Sequence, residues 1–197
     1  MSLNLHLSSL NYTFLSIFYT TEDKGGSIVL SKQGEDGRIQ ENVSSTKGWY
    51  LTLSLEPSSE YDLSCIDVIV DLAYLHGSKE DLEKGIAIID TESGAVVSEE
   101  DYGALYEPPY CNQFHFTAPK NWMNDPNGLC LWNGYYHAFY QSNPHSLKWG
   151  DMHWGHAVSK DLVSWTHLPI VLFPQDSLKD VFDKKGGAYS GCALPEN

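Results

Sequence analysis

The residue types best suited to chemistry lie in Trp122-Met123-Asn124-Asp125-Pro126-Asn127-Gly128. Asp125 stands there as a lone carboxylate, just before an apolar run that begins at Leu129. A proline directly after Asp125 biases it away from the α region and into extended backbone. Asn127-Gly128 tolerates positive φ, so the chain is expected to turn sharply there into the next strand. The result is a carboxylate at the mouth of a β-element, within reach of a ligand. A competing reading is an Asx-type turn in which Asp125 bonds only its own backbone. For Asp-Pro-Asn-Gly taken alone, that plainer reading prevails.

The elements that must position this carboxylate read as β. From His115 onward the apolar period stays near two. Leu129–Trp132 and Tyr135–Gln141 flank Asn133-Gly134, a strong short-range signal for a two-residue hairpin. Met152–Ser159 and Ser164–Trp165 continue the antiparallel run, and strands this rich in Trp and Tyr read as a β-propeller blade. Gly187–Leu194 is expected to begin a second blade. Residues 1 to about 105 read as a separate small antiparallel sandwich, with strands expected at Ser27–Leu30, Trp49–Leu55, Ile66–Leu75, Gly85–Ile89 and Ala95–Val97. One helical turn is expected within Ser78–Lys84. Paired prolines in Glu107-Pro108-Pro109 mark a linker.

Bulk properties narrow the function. The 197 residues, 42% apolar and 13% aromatic, suit one or two folded domains. A net charge of −14 with only 12 basic residues argues against nucleic acid, whose phosphates need clustered Lys and Arg. It is compatible with a neutral substrate that needs no electrostatic steering. No run is long enough to span a bilayer, and Met1–Ser9 lacks the cationic start of a signal peptide. The four cysteines, Cys65, Cys111, Cys130 and Cys192, form no CxxC pair. Reduced thiols in a cytoplasm are therefore expected. His145, His153 and His156 match no zinc spacing, and strand residues three apart face opposite sides, so no metal site is expected.

Several further blocks follow the heptapeptide in order. They are His115-Phe116-Thr117 ahead of it, then Gly134 to Pro144 (GYYHAFYQSNP), Trp149 to Ser159 (WGDMHWGHAVS), Asp161-Leu162-Val163-Ser164-Trp165, Leu168-Pro169 and Gly187 to Ala193 (GAYSGCA). Together they resemble glycoside hydrolase family 32, the β-fructofuranosidases: invertases, sucrose-6-phosphate hydrolases, levanases and inulinases. Residues 1 to about 110 carry no such resemblance.

The resemblance implies an all-β chain: a sandwich-like module over residues 1–106, a linker over 107–114, and from 115 to 197 the first blade or blades of a five-bladed propeller, incomplete here. It implies hydrolysis of terminal β-D-fructofuranosides through a retaining double displacement. Such enzymes set two carboxyl groups roughly 5–5.5 Å apart, one a nucleophile and one an acid/base. Asp125 matches the nucleophile. Gln141 and Trp149 match positions that contact the fructosyl ring, and Tyr189-Ser190 match an aromatic–Ser pair lining the site. Asn124 suits an amide donor to the carboxylate or to a sugar hydroxyl, and also suits a turn. Trp122 is open to either a site or a core role, whereas Trp132, Trp154 and Trp165 are expected in the core.

The substrate implied is a small fructoside: sucrose, sucrose 6-phosphate or a fructan. No cofactor is implied. Lys148, beside Trp149, is the one obvious basic group for a phosphorylated substrate.

Two substitutions depart from the family pattern. Asn121 replaces a Gly that often precedes the motif's Trp, and Cys192 stands where a small hydroxyl residue is usual. The family's Arg-Asp-Pro and Glu-Cys motifs, which supply the transition-state Asp and the acid/base Glu, do not occur among these residues; Arg38 is the sole arginine. The chain alone is therefore expected to be inactive. Two other classes stand beside the enzyme: a non-catalytic sugar-binding β-protein, and an interaction module whose working part is residues 1–105. A propeller glycosidase acting on arabinose or xylose polymers would lack the Asp125 heptapeptide.

Overall fold

A computed structural model describes residues 2–78, 81–98, 101, 115–179, 181 and 186–194. The expected linker and Cys111 lie outside the described residues. Backbone contacts divide the chain into two units. The first comprises Met1–Lys79, Ala87–Val97 and Asp176–Lys184, and the second Glu80–Ile86, Ser98–Gln175 and Lys185–Asn197.

Alternation builds the first unit. In β6 (Glu60–Ile66), Tyr61, Leu63 and Cys65 are buried while Glu60, Asp62 and Ile66 are exposed. This strand is central in a four-stranded sheet, between β1 (Ser2–Ser8) on one side and β3 (Gly26–Lys32), then β4 (Arg38–Val43), on the other. A five-stranded sheet runs β5 (Trp49–Ser54), β2 (Phe14–Thr21), β7 (Val68–His76), β8 (Ala87–Ile89) and β9 (Val96–Val97). Leu5, Leu7, Ile28, Leu30 and Leu63 of the first sheet share one buried cluster with Leu15, Ile17, Trp49, Leu53 and Leu75 of the second. Two sheets closing over one apolar layer make a sandwich. A one-turn helix, α1 (Asp81–Lys84), falls inside the expected window and belongs to the second unit.

The expected strand Ile66–Leu75 is β7, which starts at Val68, whereas Ile66 ends β6. Asp67, at φ 56°, turns the chain between β6 and β7. Strands β1, β2, β4 and β6 were not expected. Strand β2 is buried on both faces, which erases the period-two signal. Strand β4 is an edge strand exposed along nearly its whole length, so it has no apolar face to read.

The second unit is an up-and-down antiparallel sheet in chain order: β10 (Trp122–Trp132), β11 (Tyr135–Asn143), β12 (His153–Ser159) and β13 (Thr166–Leu172). Asn133 and Gly134 sit at φ 49° and 81°, the two positive values that a type I′ hairpin requires, and Trp132 pairs with Tyr135 across it. Tyr140 lies directly opposite Gly155. A Cβ at Gly155 would come within 2.3 Å of the Tyr140 ring, so the ring's position depends on glycine there. Among the described residues, no helix is long and apolar enough to cross a membrane.

Three local expectations need correction. Ser164 and Trp165 precede β13 instead of forming a strand, because Ser159 and Asp161 fold residues 160–164 into a turn: Asp161 Oδ1 accepts from the Val163 and Ser164 amides at 2.8 and 2.7 Å. Trp154 is buried, but Trp165 is only half-buried and Trp132, at the hairpin end of β10, is 51% exposed. Residues 186–194 form no strand; they are an irregular segment laid along the sheet.

Candidate active site

The heptapeptide is not a turn leading into a strand. All of it lies within β10, an edge strand, which is where Pro126 can be accommodated without breaking a ladder. The turn-forming residues are absorbed as two bulges. Met123 pairs with Ser142 and Pro126 with Tyr140, so Asn124 and Asp125 together oppose the single residue Gln141. Asn127 pairs with Phe139 and Cys130 with His137, so Gly128 and Leu129 together oppose Ala138. Gly128 takes φ 53° at the second bulge. Bulges re-aim side chains, and the first of these sets two consecutive polar residues opposite one partner residue. The run after Asp125 is correspondingly not a core strand: Leu129 and Leu131 are 65% and 60% exposed.

Residues 186–194 complete the site. Gln141, only 2% exposed, donates its Nε2 hydrogen to the Ala188 carbonyl at 2.8 Å. The Ala188 amide donates to Met152 O at 2.7 Å, and Trp154 Nε1 donates to Tyr189 O at 3.0 Å. The Gly128 amide donates to Gly191 O at 3.3 Å. Fastened by these bonds, Ser190 Oγ donates to Asp125 Oδ2 at 3.3 Å. Asp125 itself is exposed. The geometry therefore brings together Asp125, Ser190 and, through the Ala188 backbone, Gln141. Tyr189 sits beside them with its side chain 56% exposed.

Trp122 and Asn124 pair with each other, indole Nε1 donating to Asn124 Oδ1 at 2.8 Å. Both line a cavity of about 450 Å³ with Phe116, Met123 and Leu147. Asn124's oxygen is thus engaged by the indole. Trp149 belongs to neither group; it stands on the loop after β11 with its side chain 62% exposed, which rules out a core role.

Asn143 was not among the expected site residues, yet it builds that loop. Its Nδ2 donates to Lys148 O at 2.8 Å and to Ser146 Oγ at 3.1 Å, and its Oδ1 accepts from the His145 amide at 3.0 Å. A buried Asn at the end of a strand and before a proline was the available signal. The Asn121 substitution also has a structural reason. Asn121 is at φ 67°, where Asn is the best tolerated residue after Gly, and its amide donates to Pro144 O.

The histidines pack. His156 stacks on Phe139 at 4.3 Å and lies 3.0 Å from His137 Nδ1. Burial first, and His137 second, push its pKa down to about 4. His153 Nδ1 lies 2.6 Å from Asp151 O, and burial lowers His167 to about 4 as well.

Residues 115–197 match the glycosyl hydrolases family 32 N-terminal domain. The likeness to the N-terminal part of a family 32 protein thus lies, in sequence, in residues 115–197. A levanase from Bacillus subtilis (strain 168) is 54% identical over 91 residues, covering 46% of this chain and 12% of the levanase. A sucrose-6-phosphate hydrolase from Escherichia coli is 51% identical over 84 residues, 43% of this chain and 17% of the hydrolase. The chain thus spans under one fifth of the length of these relatives. The solved structure of a glycoside hydrolase family 32 protein from Bifidobacterium adolescentis matches with a TM-score of 0.80 at 28% identity, covering 90% of this chain and 29% of that one. Coverage of 90% cannot be met by residues 115–197 alone, so the family 32 likeness extends into the sandwich, where the sequence shows no resemblance.

Proposed function

We propose that the whole protein hydrolyses terminal β-fructofuranosides by double displacement, with Asp125 as the nucleophile. The observation that carries this reading is the first bulge of β10. It sets Asn124 and Asp125 opposite Gln141, leaves Asp125 exposed, and brings Ser190 Oγ to 3.3 Å from its carboxylate. The relatives named as levanase, sucrose-6-phosphate hydrolase and exo-inulinase support fructosides as the substrate class.

In the proposed mechanism the Asp125 carboxylate attacks the anomeric carbon of the fructosyl unit as the leaving alcohol is protonated. Water then releases fructose. The transition state resembles an oxocarbenium ion, which an adjacent carboxylate stabilises. Asn124, Trp122 and Trp149 supply sugar contacts, Trp149 through an exposed ring face. Gln141 acts by holding Ala188–Ser190 in place. The mechanism also needs a second carboxyl group as the leaving-group acid, and without one the 197 residues alone lack glycosidase activity. The four-stranded sheet is one propeller blade with β10 facing the axial funnel, and residues 1–106 are an accessory module.

The test is Asp125→Asn in the whole protein. Fructoside binding persists while turnover falls by several orders of magnitude, since a covalent step is lost without substitute. Retention of a tenth of wild-type turnover would remove Asp125 from the mechanism. Turnover lacking in the wild type, with binding intact, would leave a sugar-binding protein.

A further inference from the structure

The alternation of β3 brings a charge to the core side of the sandwich. Ile28, Leu30 and Lys32 are two apart on this strand and share a face, and the first two are buried in the core. Lys32, the last residue of β3, therefore stands at the mouth of the apolar layer, paired with the buried Tyr61 of β6. Its ammonium donates to Glu56 Oε2 at 2.7 Å and forms an ion pair with Glu35. The Glu56 amide in turn donates to Tyr61 Oη at 2.8 Å, which fixes the backbone under that carboxylate. Each carboxylate gives the lysine one oxygen. Among the described residues, Glu35 Oε2 and Glu56 Oε1 take no hydrogen bond.

These groups line a cavity of about 410 Å³ in the first unit, within the usual range of small-molecule sites, about 300–1,000 Å³. Its floor is apolar. Leu30, Leu55 and Tyr61 are buried there, and Ile39 of the edge strand β4 pairs with Leu30 yet stays exposed. The ionic residues of the lining, Lys32 and Arg38 against Glu35 and Glu56, cancel in charge. Cancelled charge favours neither an anion nor a cation as occupant. Exposed ion pairs add little to stability. What this trio does is hold two acceptor groups still on one ammonium, above an apolar floor. Hydroxyl groups are the uncharged donors that such carboxylates accept, and C–H faces suit the floor.

We propose that this cleft binds a neutral oligosaccharide, at a site carried by the first unit whereas Asp125 belongs to the second. Glu35 and Glu56 accept from sugar hydroxyls, and Leu30, Ile39 and Leu55 pack against a sugar's C–H face. That the sugar is a fructan rests on the reading of the whole protein as a fructosidase. The cleft then retains a long substrate by groups that take no part in its cleavage.

The test is a 15N–1H titration of the 197-residue chain with an inulin-type fructo-oligosaccharide, followed at the Gly37, Ile39 and Leu55 amides. The proposal predicts saturable shifts at these amides and an affinity about 10-fold or more weaker in Glu56→Ala, the loss of a hydrogen bond to a charged group. The Glu56 side chain is 70% exposed, so that variant keeps its fold. Ile39→Ser weakens binding through the floor, and inorganic phosphate causes no saturable shift. Absence of saturable shifts with the oligosaccharide, an affinity unmoved in Glu56→Ala, or saturation by phosphate overturns the proposal. In the whole protein, Glu56→Ala raises KM for a long fructan and leaves kcat and KM for sucrose as they were; a fructan KM unmoved, or equal rises for both substrates, also overturns it. A whole protein that cleaves no fructoside would defeat the enzymatic reading, while the titration would still decide the site.

Discussion

Replacing Gln141 with Leu separates holding the site from touching the sugar. Leu fills much of the same space but cannot donate to the Ala188 carbonyl, now bonded at 2.8 Å. The carbonyl loses its side-chain donor at a position where Gln141 is only 2% exposed, a change that costs about 1–3 kcal/mol. That cost falls on the irregular segment 186–194, which is held by a handful of such bonds. The segment's opening equilibrium should therefore rise by about 5- to 150-fold, the range those energies span. Hydrogen exchange at the Ala188 amide, which donates to Met152 O, reads that opening directly. The amide should exchange faster by that factor, amides in β11 and β12 should be little affected, and kcat/KM of the whole protein should fall. An unchanged Ala188 exchange rate accompanied by the same loss of activity would refute the reasoning and return Gln141 to direct contact with sugar.

Trp149→Ala should change stability by no more than about 0.5 kcal/mol, leaving Tm nearly unchanged, because the residue is 62% exposed, while KM for the fructoside rises. A sharp fall in Tm would show the ring to be structural. Acid should destabilise the second unit through His156 and His167, both held neutral by burial with pKa values of about 4 against an ordinary 6.5. The folded values are depressed, so the stability is fully present above pH 6.5 and is lost as pH falls toward 4, by roughly 3 kcal/mol for each histidine. Urea melts between pH 7 and 4 measure this, and a flat midpoint would contradict it. His76, half-buried in the first unit and likewise lowered to about 4 by desolvation, gives that unit a parallel but separate acid sensitivity.

Much of the second unit was legible because its signals are local. Asn133-Gly134 favours a tight two-residue hairpin, and the runs on either side of it, Leu129–Trp132 and Tyr135–Gln141, are the paired parts of β10 and β11. The site was legible in composition but not in geometry. Asp-Pro-Asn-Gly signals a turn in any short window, and only pairing with β11 converts it into two bulges on an edge strand. Gln141 was expected to contact sugar because it matches a family position; its bond to Ala188, a residue 47 positions away, is an addition that no local pattern reports. Trp132 read as core from its strand position, but β10 is an edge strand with an exposed end. In the first unit, β2 and β4 escaped for opposite reasons: one is buried on both faces and the other on neither, and alternation marks only strands between those extremes.

The most direct measurement is capture of the covalent intermediate. The whole protein is mixed with a fructoside bearing a fast leaving group, quenched in acid, digested and examined by mass spectrometry. The account predicts a single fructosyl adduct on the peptide containing Asp125, absent from the Asp125→Asn protein. An adduct on a different carboxylate, or hydrolysis undiminished in Asp125→Asn, would contradict it.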